Sequence, residues 1–277
     1  MFQTHIIRKL IQSALEEDVG TGDITTNAAL TGKEVGRAEA FAKAGLIVAG
    51  IDVFREAFLF LDNTIQFTAH CEDGQAVAKG GILAEISGNL GSILTAERVA
   101  LNFLQRMCGI ATLTGQYVDE IKGTHAKILD TRKTAPGLRC LDKYAVRIGG
   151  GTNHRFGLYD GVLIKDNHIA AAGGISQALA RVRGRLPHTL KVEVEVKNLP
   201  EVEEALSSGA DVIMLDNMTI GDMRKAVEVV SGKVPLEASG NVTLANVRKI
   251  AETGVDFISV GALTHSVPAS DISLKIA

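Results

Sequence analysis

Positively charged side chains that could bind an anion are concentrated in residues 130–168. This segment holds seven Lys or Arg against four acids, so its charge is +3 in a chain whose net charge is −3. Arg132, Lys133, Arg155 and Lys165 follow short apolar runs or adjoin glycine-rich turns. Arginine binds carboxylates and phosphates through paired hydrogen bonds, whereas lysine acts as a point charge. The pattern therefore predicts a small anionic substrate.

Three other cations of this segment allow a different interpretation. Arg139, Lys143 and Arg147 are spaced four residues apart, which favours a helix with a solvated basic face. His154 and His168 add hydrogen-bond donors. The role of His168 stays open between the site and its support.

Acidic side chains that could oppose these cations lie further along the chain. Glu195 and Asp216 stand at the ends of two apolar runs. Since Mg²⁺ usually takes one or two carboxylates plus phosphate oxygens, this pair predicts a Mg²⁺ site shared with a substrate phosphate. A buried salt-bridge network with the lysines is the alternative, above all for Glu193, which has the same strand parity as Glu195. Glu237 also lies within an apolar run, where an unpaired carboxylate is costly.

Two late turns have the small residues of a phosphate-binding site. Small side chains let backbone N–H groups approach an anion, and the last two strand-to-helix loops are the usual phosphate site of α/β barrels. The residues are Ser239, Gly240 and Asn241 in the first turn and Val260, Gly261 and Ala262 in the second. Together the two turns predict a phosphate cup.

The elements that position these residues follow a strand–helix rhythm from about residue 124 onward. Apolar runs alternate with amphipathic segments at 198–208, 219–231 and 243–253, and Gly209 and Gly254 stand where helices should end. This alternation predicts parallel strands with crossover helices. Six runs are too few for an eight-stranded barrel, so we predict an incomplete one. The runs span 127–130, 161–166, 190–196, 211–216, 234–239 and 256–261.

The first part of the chain has a different pattern. An amphipathic helix is predicted near the N-terminus, followed by strands over 37–41 and 76–86 and helices over 51–61 and 92–109. This is an α+β pattern, distinct from the later rhythm.

Composition excludes several classes of protein. The small net charge gives no reason to expect nucleic acid or a membrane surface as partner, and no apolar run approaches the ~20 residues of a membrane span. Cys71, Cys108 and Cys140 are too few and too widely spaced for a disulfide framework or a zinc site. A cytoplasmic protein is expected.

Six strings carry a family resemblance: EDVGTGDITT at 17–26, TAERVALNFLQRMCGIAT at 95–112, ILDTRKTAPGLR at 128–139, GGGTNHRFGLYDGVLIKDNHI at 149–169, LEASGN at 236–241 and DFISVGALTHS at 256–266. In these strings the chain resembles quinolinate phosphoribosyltransferase, the carboxylating nicotinate-nucleotide pyrophosphorylase. The resemblance implies an N-terminal α/β sandwich domain over 1–110 and an open parallel α/β barrel of seven strands over 111–264. The tail 265–277 is expected to pack back on the first domain.

The resemblance also implies an activity. Quinolinate and phosphoribosyl diphosphate would give nicotinate mononucleotide, CO₂ and diphosphate, with Mg²⁺, as a step of NAD biosynthesis. The enzyme would be a homodimer in which Arg98 acts across the interface. The residues expected to be catalytic are Lys133, Lys165, Glu195 and Asp216.

Further roles are implied residue by residue. Arg132, His154 and Arg155 match the pocket for the two pyridine carboxylates, and Thr131 adjoins it. Lys133 and Lys165 match lysines that bridge the substrates, while Glu195 and Asp216 match acids near the ribose and metal. Ser239, Gly240 and Asn241, with Val260, Gly261 and Ala262, match turns that hold the 5-phosphate.

Three alternatives stay open at this point. A Schiff-base aldolase would use Lys165 as nucleophile, but Asp166 follows it and should keep it charged. A molybdenum-transport-associated relative would bind an anion without this chemistry. A phosphoribosyltransferase for nicotinate would need fewer cations for its single carboxylate.

Overall fold

The computed structural model describes residues 4–277, and the chain divides into two units within them. The first unit comprises the residues up to 113 together with 135–149 and 267–277, and the second comprises 114–134 and 150–266. The first three residues of the predicted 1–110 domain lie outside the described residues. The boundaries drawn from the sequence at 110 and 264 stay predictions.

The elements alternate in type along the chain. The first are α1 (Thr4–Val19), α2 (Ile24–Ala29), β1 (Val35–Ala42), β2 (Leu46–Ile47), α3 (Ile51–Leu61), β3 (Gln66–Ala69), β4 (Ala76–Val77), β5 (Ile82–Asn89) and α4 (Leu90–Glu120). Next come β6 (Lys127–Leu129), α5 (Arg139–Ile148), β7 (Val162–Ile164), α6 (Asp166–Ala172), α7 (Ile175–Arg183), β8 (Val192–Val196) and α8 (Leu199–Ser207). The last are β9 (Val212–Asp216), α9 (Ile220–Val230), β10 (Leu236–Ser239), α10 (Val247–Ala251), β11 (Phe257–Ser259), α11 (Ala262–His265) and β12 (Ile272–Ile276).

The first unit is an antiparallel sheet with helices, as the α/β sandwich prediction requires. Its strand order is β12-β1-β5-β3, and α1 packs against α3. The chain's last strand pairs with β1, with Ile276 opposite Ala38. The strand predicted over 76–86 is two strands instead, because a turn closed by the bond from Gly81 N to Ala78 O separates them. The helix predicted over 92–109 extends at both ends.

The second unit contains the six parallel strands that the sequence predicts. Their order is β6-β11-β10-β9-β8-β7, and among the described residues β6 and β7 do not pair with each other, so the barrel is open. In β9 the buried Ile213, Met214 and Leu215 lie on both faces, as expected for a parallel sheet covered by helices, whereas the buried valines of β8 all lie on one face. The resemblance implies a seventh strand. The parallel sheet of the described residues has six strands, and an isolated parallel bridge also joins Leu129 of β6 to Thr152.

The helix boundaries follow from capping residues. Asn198 accepts a hydrogen bond from Glu201 N at the start of α8, and α9 begins after the cap Thr219. Gly209 and Gly254 have φ of +82° and +95° just beyond α8 and α10, as predicted. The helix predicted over 243–253 is shorter, since residues 243–246 form a turn instead.

Helix α5 corrects one expectation from the sequence. The solvated basic face holds for Arg147, which is exposed, but is wrong for Lys143, which is 3% exposed. Beside it, fully buried Asp142 accepts hydrogen bonds from Arg106 Nε at 2.8 Å and Nη2 at 2.7 Å. This ion pair belongs to the first unit.

Among residues 4–277, no helix combines the length and the apolar character that a bilayer crossing requires.

Candidate active site

A cavity of 620 Å³ opens at the carboxyl ends of the parallel strands in the second unit. In parallel α/β barrels this end of the strands holds the active site. The lining residues are Thr131, Arg132, Lys133, His154, Arg155, Leu163, Lys165, Glu195, Met214, Asp216, Asn217, Glu237, Ser239, Gly240, Asn241 and Ser259. Every strand of the sheet contributes to the cavity or is followed by a residue that does.

The cavity brings together most residues predicted for the site, and four lie outside its lining. Val260 is buried, and Ala262 begins α11. Gly261 lies close to the cavity, because a Cβ atom placed on it would be 3.2 Å from Lys133 Cδ. Arg98 is exposed on α4 in the first unit. Its predicted role across a dimer stays a prediction.

Arg132 and Arg155 form the cationic wall. Arg155 donates from Nη1 to the carbonyl oxygen of Gly161 at 3.0 Å. Burial lowers the pKa of Arg155, and the nearby charge of Arg132 lowers it further. Two guanidinium groups close enough to repel each other form a site that favours a substrate with more than one negative charge.

The segment that carries His154 is held beside β6. Asp130 N donates to Thr152 O at 3.2 Å, and the buried Asp130 carboxylate accepts from His154 N at 2.9 Å and from the amide of Asn153. A short strand-like stretch thus runs beside β6. Asp130 fixes His154 and Arg155 at the cavity.

The His154 ring is held at both nitrogens. Nδ1 accepts from Arg155 N at 2.7 Å, so we assign the ring proton to Nε2, which lies 2.9 Å from Glu193 Oε2. Glu237 Oε2 is 3.7 Å from the same nitrogen. The ligand-type atoms of these three side chains lie within 4.8 Å of one another. Because a hydrogen bond already uses Nε2 and the Glu193 oxygen, we interpret the trio as a hydrogen-bonded cluster.

Two acids are buried beneath this ring. Glu193 is 7% exposed and Glu237 is 2% exposed, and in the part of the chain described, Oε1 of each has no hydrogen-bond partner. Burial raises the pKa of Glu237 well above its ordinary value, and the charge of Glu193 raises it further. Glu237 was not among the predicted site residues. Its position inside an apolar run was the signal that could have identified it.

The lysine that follows β7 pairs differently from the prediction. Lys165 Nζ lies 3.1 Å from Glu195 Oε2, while Asp166 pairs with Lys197 at 3.0 Å. Glu195, and not Asp166, is therefore the carboxylate that contacts Lys165. His168 Nδ1 accepts from Lys165 N at 3.0 Å at the start of α6, which makes His168 a structural support of the lysine.

Glu195 and Asp216 stand on neighbouring strands with their side chains on one face. Glu195 pairs in register with Met214, and Asp216 lies two residues further along the same strand. Both line the cavity, and Asn217 Nδ2 donates to Asp216 Oδ1 at 3.0 Å. Two carboxylates on one face are the hard oxygen donors that suit Mg²⁺.

A turn of unusual backbone conformation closes the other side of the cavity. Asn217, Gly240 and Asn241 have φ of +54°, +96° and +51°, and Asn241 Nδ2 donates to Asn217 Oδ1 at 2.9 Å. A Cβ atom on Gly240 would lie 2.2 Å from that oxygen, so the turn needs glycine there. Successive N–H groups in such turns form concave anion sites.

The second predicted turn approaches Lys133. Thr264 Oγ1 on α11 donates to the carbonyl oxygen of Lys133 at 2.8 Å. Helix α11 has only four residues, so it anchors the lysine's backbone and is too short to contribute a substantial dipole.

Comparison with known proteins places this geometry in a family. Residues 23–108 match the family model "Quinolinate phosphoribosyl transferase, N-terminal domain", and residues 110–275 match "Quinolinate phosphoribosyl transferase, C-terminal domain". A probable nicotinate-nucleotide pyrophosphorylase [carboxylating] of Bacillus subtilis is 44% identical over 98% of this chain and 93% of its own. A chloroplastic nicotinate-nucleotide pyrophosphorylase [carboxylating] of Arabidopsis thaliana is 48% identical over 99% and 83%.

Solved structures agree with the sequence comparison. NadC from Streptococcus pyogenes superimposes with a TM-score of 0.95 at 40% identity, covering 100% of this chain and 99% of its own. The nicotinate-nucleotide pyrophosphorylase from Francisella tularensis gives 0.94 at 43%, covering 100% and 98%. Human nicotinic acid phosphoribosyltransferase gives 0.61 at 13% identity and shares the fold alone.

Proposed function

The chain belongs to the quinolinate phosphoribosyltransferase family, and from this membership we propose how its cavity performs the family's reaction. The reaction joins quinolinate to the phosphoribosyl group of its diphosphate and yields nicotinate mononucleotide, CO₂ and diphosphate. It is a decarboxylating pentosyl transfer of NAD biosynthesis. The observation that carries the proposal is the convergence of Arg132, Arg155, Lys165, Glu195 and Asp216 on one cavity.

Quinolinate binds at the cationic wall. Its two carboxylates supply the negative charge that the adjacent guanidiniums of Arg132 and Arg155 favour. Beside them, the Asp130 carboxylate holds the backbone of His154, whose ring accepts a hydrogen bond from Arg155 N. This arrangement supports a diacid over nicotinate, because one carboxylate supplies a single negative charge for two adjacent guanidiniums.

Transfer proceeds by attack of the pyridine nitrogen on the anomeric carbon as diphosphate leaves. The ribose becomes positively charged in a transition state that resembles an oxocarbenium ion, and Glu195 and Asp216 stabilise that charge. Lys133 and Lys165 stabilise the departing diphosphate. Lys165 is held on the cavity side by its 3.1 Å contact with Glu195. No covalent enzyme intermediate is required.

We propose Mg²⁺ as the metal of this site. Glu195 and Asp216 would hold it, directly or through water, on the support of their shared strand face and carboxylate chemistry. Bound there, Mg²⁺ would neutralise charge on the leaving diphosphate. Activity should be lost on chelation with EDTA and return on addition of Mg²⁺.

The 5-phosphate of the donor binds at the turn of Ser239, Gly240 and Asn241. Positive φ values at Gly240 and Asn241 support this role, since such turns direct N–H groups toward an anion. Val260, Gly261 and Ala262 form the second wall of this phosphate site. Gly261 lies near the Lys133 side chain.

We propose a homodimer in which Arg98 completes the partner's site. The family resemblance supports this, and so do two exposed side chains beside the open edge of the barrel: Leu158 is 72% exposed and Tyr159 is 78% exposed. Arg98→Ala and Lys133→Ala should each be inactive alone. Mixed subunits should regain activity through heterodimers, and the absence of any recovery would argue against a shared site.

A cytoplasmic location is part of the proposal. The three cysteines are free thiols, which supports a reducing compartment. Fractionation of cells that produce the protein should place it with cytoplasmic markers.

One assay tests the function. Purified protein with quinolinate, phosphoribosyl diphosphate and Mg²⁺ should release nicotinate mononucleotide and CO₂ in equal amounts. Quinolinate binding without turnover would favour a non-catalytic relative, and turnover of nicotinate in place of quinolinate would favour the mono-acid enzyme. Borohydride inactivation with a carbonyl substrate would indicate a Schiff base.

A further inference from the structure

The reaction needs a proton that the transfer step does not provide. When the C2 carboxylate leaves as CO₂, its bonding electron pair stays on C2 of the pyridinium ring. The product carries hydrogen at C2, so an acid must deliver a proton there. A neutral acid in the cavity would serve best, because a cationic donor such as lysine would form ion pairs with the substrate phosphates.

Glu237 is the carboxyl group whose surroundings suit this role. It lines the same cavity as Arg132 and Arg155, and Oε2 lies 3.7 Å from His154 Nε2. Oε1 is buried and has no hydrogen-bond partner among the described residues. Burial raises the pKa of Glu237 well above its ordinary value and the charge of Glu193 raises it further, which favours the protonated acid.

Other titratable groups of the cavity are already committed. Lys165 contacts Glu195, and the His154 ring proton is directed at Glu193. Lys133 and Asp216 belong to the diphosphate and ribose side of the cavity in the proposed function. Of the two acids buried beneath the side chains proposed to hold the pyridine carboxylates, Glu193 accepts from His154 Nε2, which leaves Glu237 as the candidate donor.

We propose that Glu237 is the general acid that protonates C2 of the pyridine ring after decarboxylation, an inference that rests on the proposed function. The bond from C2 to the carboxylate breaks and its electron pair remains on C2, where CO₂ can recombine with it until C2 is protonated. The Glu237 O–H bond then breaks and its proton forms the C2–H bond. The Glu237 carboxylate that remains takes a proton from solvent after the product leaves.

The test is Glu237→Gln, which keeps the shape of the neutral acid and removes its acidic proton. Single-turnover reactions should release diphosphate at close to the wild-type rate but CO₂ about 100-fold more slowly, the lower end of general-acid effects. Quinolinate mononucleotide should accumulate. Equal rates of CO₂ release in variant and wild type would overturn the proposal.

A second measurement separates catalysis from a structural role. Turnover in a 1:1 mixture of H₂O and D₂O gives a hydrogen-to-deuterium ratio at C2 that reports the donor. The ratio should change in Glu237→Gln, because water replaces the carboxylic acid as donor, and an unchanged ratio would refute the role. Should Glu237→Gln fail to fold, Glu237→Asp supplies the same comparison, since a withdrawn carboxyl should also slow CO₂ release.

Glu193→Gln is the matched control, because it alters the neighbouring buried acid of the same cluster. It should weaken quinolinate binding through His154 and leave the isotope ratio at the wild-type value. A ratio that shifts equally in both variants would contradict an assignment to Glu237. If the wild-type protein makes no nicotinate mononucleotide, the proposed function fails before any variant is compared.

Discussion

Replacing Arg132 by alanine tests the charge argument on which diacid recognition depends. Arg132 and Arg155 lie close enough for the charge of one to lower the pKa of the other. This repulsion is relieved when a dianion binds between them. Arg132→Ala removes both the repulsion in the empty site and half of the attraction in the occupied one.

The magnitude follows from the partial burial of the pair. Truncating one partner of a buried, hydrogen-bonded charge contact costs about 2–5 kcal/mol. At about 1.4 kcal/mol per factor of ten, quinolinate affinity should fall between about 30-fold and several thousand-fold. Relief of the repulsion in the empty site should place the result toward the lower end. Nicotinate, with one carboxylate, should lose less affinity than quinolinate.

Isothermal titration of quinolinate and of nicotinate into wild type and variant measures both losses. Arg224→Ala is the control, since Arg224 is an exposed arginine on α9 outside the cavity lining. It should leave both affinities unchanged. A folded Arg132→Ala that binds quinolinate as tightly as wild type would refute the assignment of Arg132 to a carboxylate. Equal losses for the two ligands would refute the preference for a diacid.

Three further predictions address stability and phosphate binding. Asp142→Ala should lower the free energy of unfolding by about 3–5 kcal/mol in urea, because it removes the buried carboxylate that accepts two hydrogen bonds from Arg106, and a loss under about 1 kcal/mol would contradict this. Gly240→Ala should raise the KM for phosphoribosyl diphosphate, because the added Cβ would displace the Asn217 amide; an unchanged KM would separate this turn from the phosphate. Glu237 has a folded pKa above its unfolded value, so wild-type stability should decline as pH rises above the unfolded pKa, by at most about 1.4 kcal/mol per pH unit. Glu237→Gln should lack this decline, and a stability difference between variant and wild type that is the same at pH 5 and pH 8 would refute it.

The barrel strands could be predicted because their physics is local. Each strand is a short, mostly buried run rich in apolar residues, and each of α8 and α9 begins at a capping side chain that the sequence displays. The place of Thr152 could not be predicted in the same way. A single bridge to Leu129 and the hydrogen bonds of Asp130 define that stretch, and these contacts link residues more than twenty positions apart.

Site residues were predictable from the sequence where a charged side chain ends a strand. Which carboxylate each lysine pairs with was less predictable. The position of Glu195 and Asp216 at the ends of two apolar runs indicated that they lie at the same end of the barrel. The sequence did not indicate that Lys165 would contact Glu195 and not the adjacent Asp166. In the structure, Lys197, which follows β8, pairs with Asp166. Tertiary geometry settled what sequence proximity suggested wrongly.

The proposed chemistry must solve a conflict that the cationic wall creates. Arginines that bind the C2 carboxylate also stabilise it, which opposes its departure as neutral CO₂. The positive charge that transfer creates on the pyridine nitrogen offsets this, since it stabilises the electron pair left on C2. The neutral acid Glu237 then makes the loss of CO₂ irreversible by protonating C2. Because the nitrogen becomes charged only after ribosylation, the wall protects quinolinate until transfer and Glu237 acts only afterwards. Charge thus sets the order of ribosyl transfer and decarboxylation. The cations of the cavity hold the substrate, and buried Glu237 supplies the proton that completes the product.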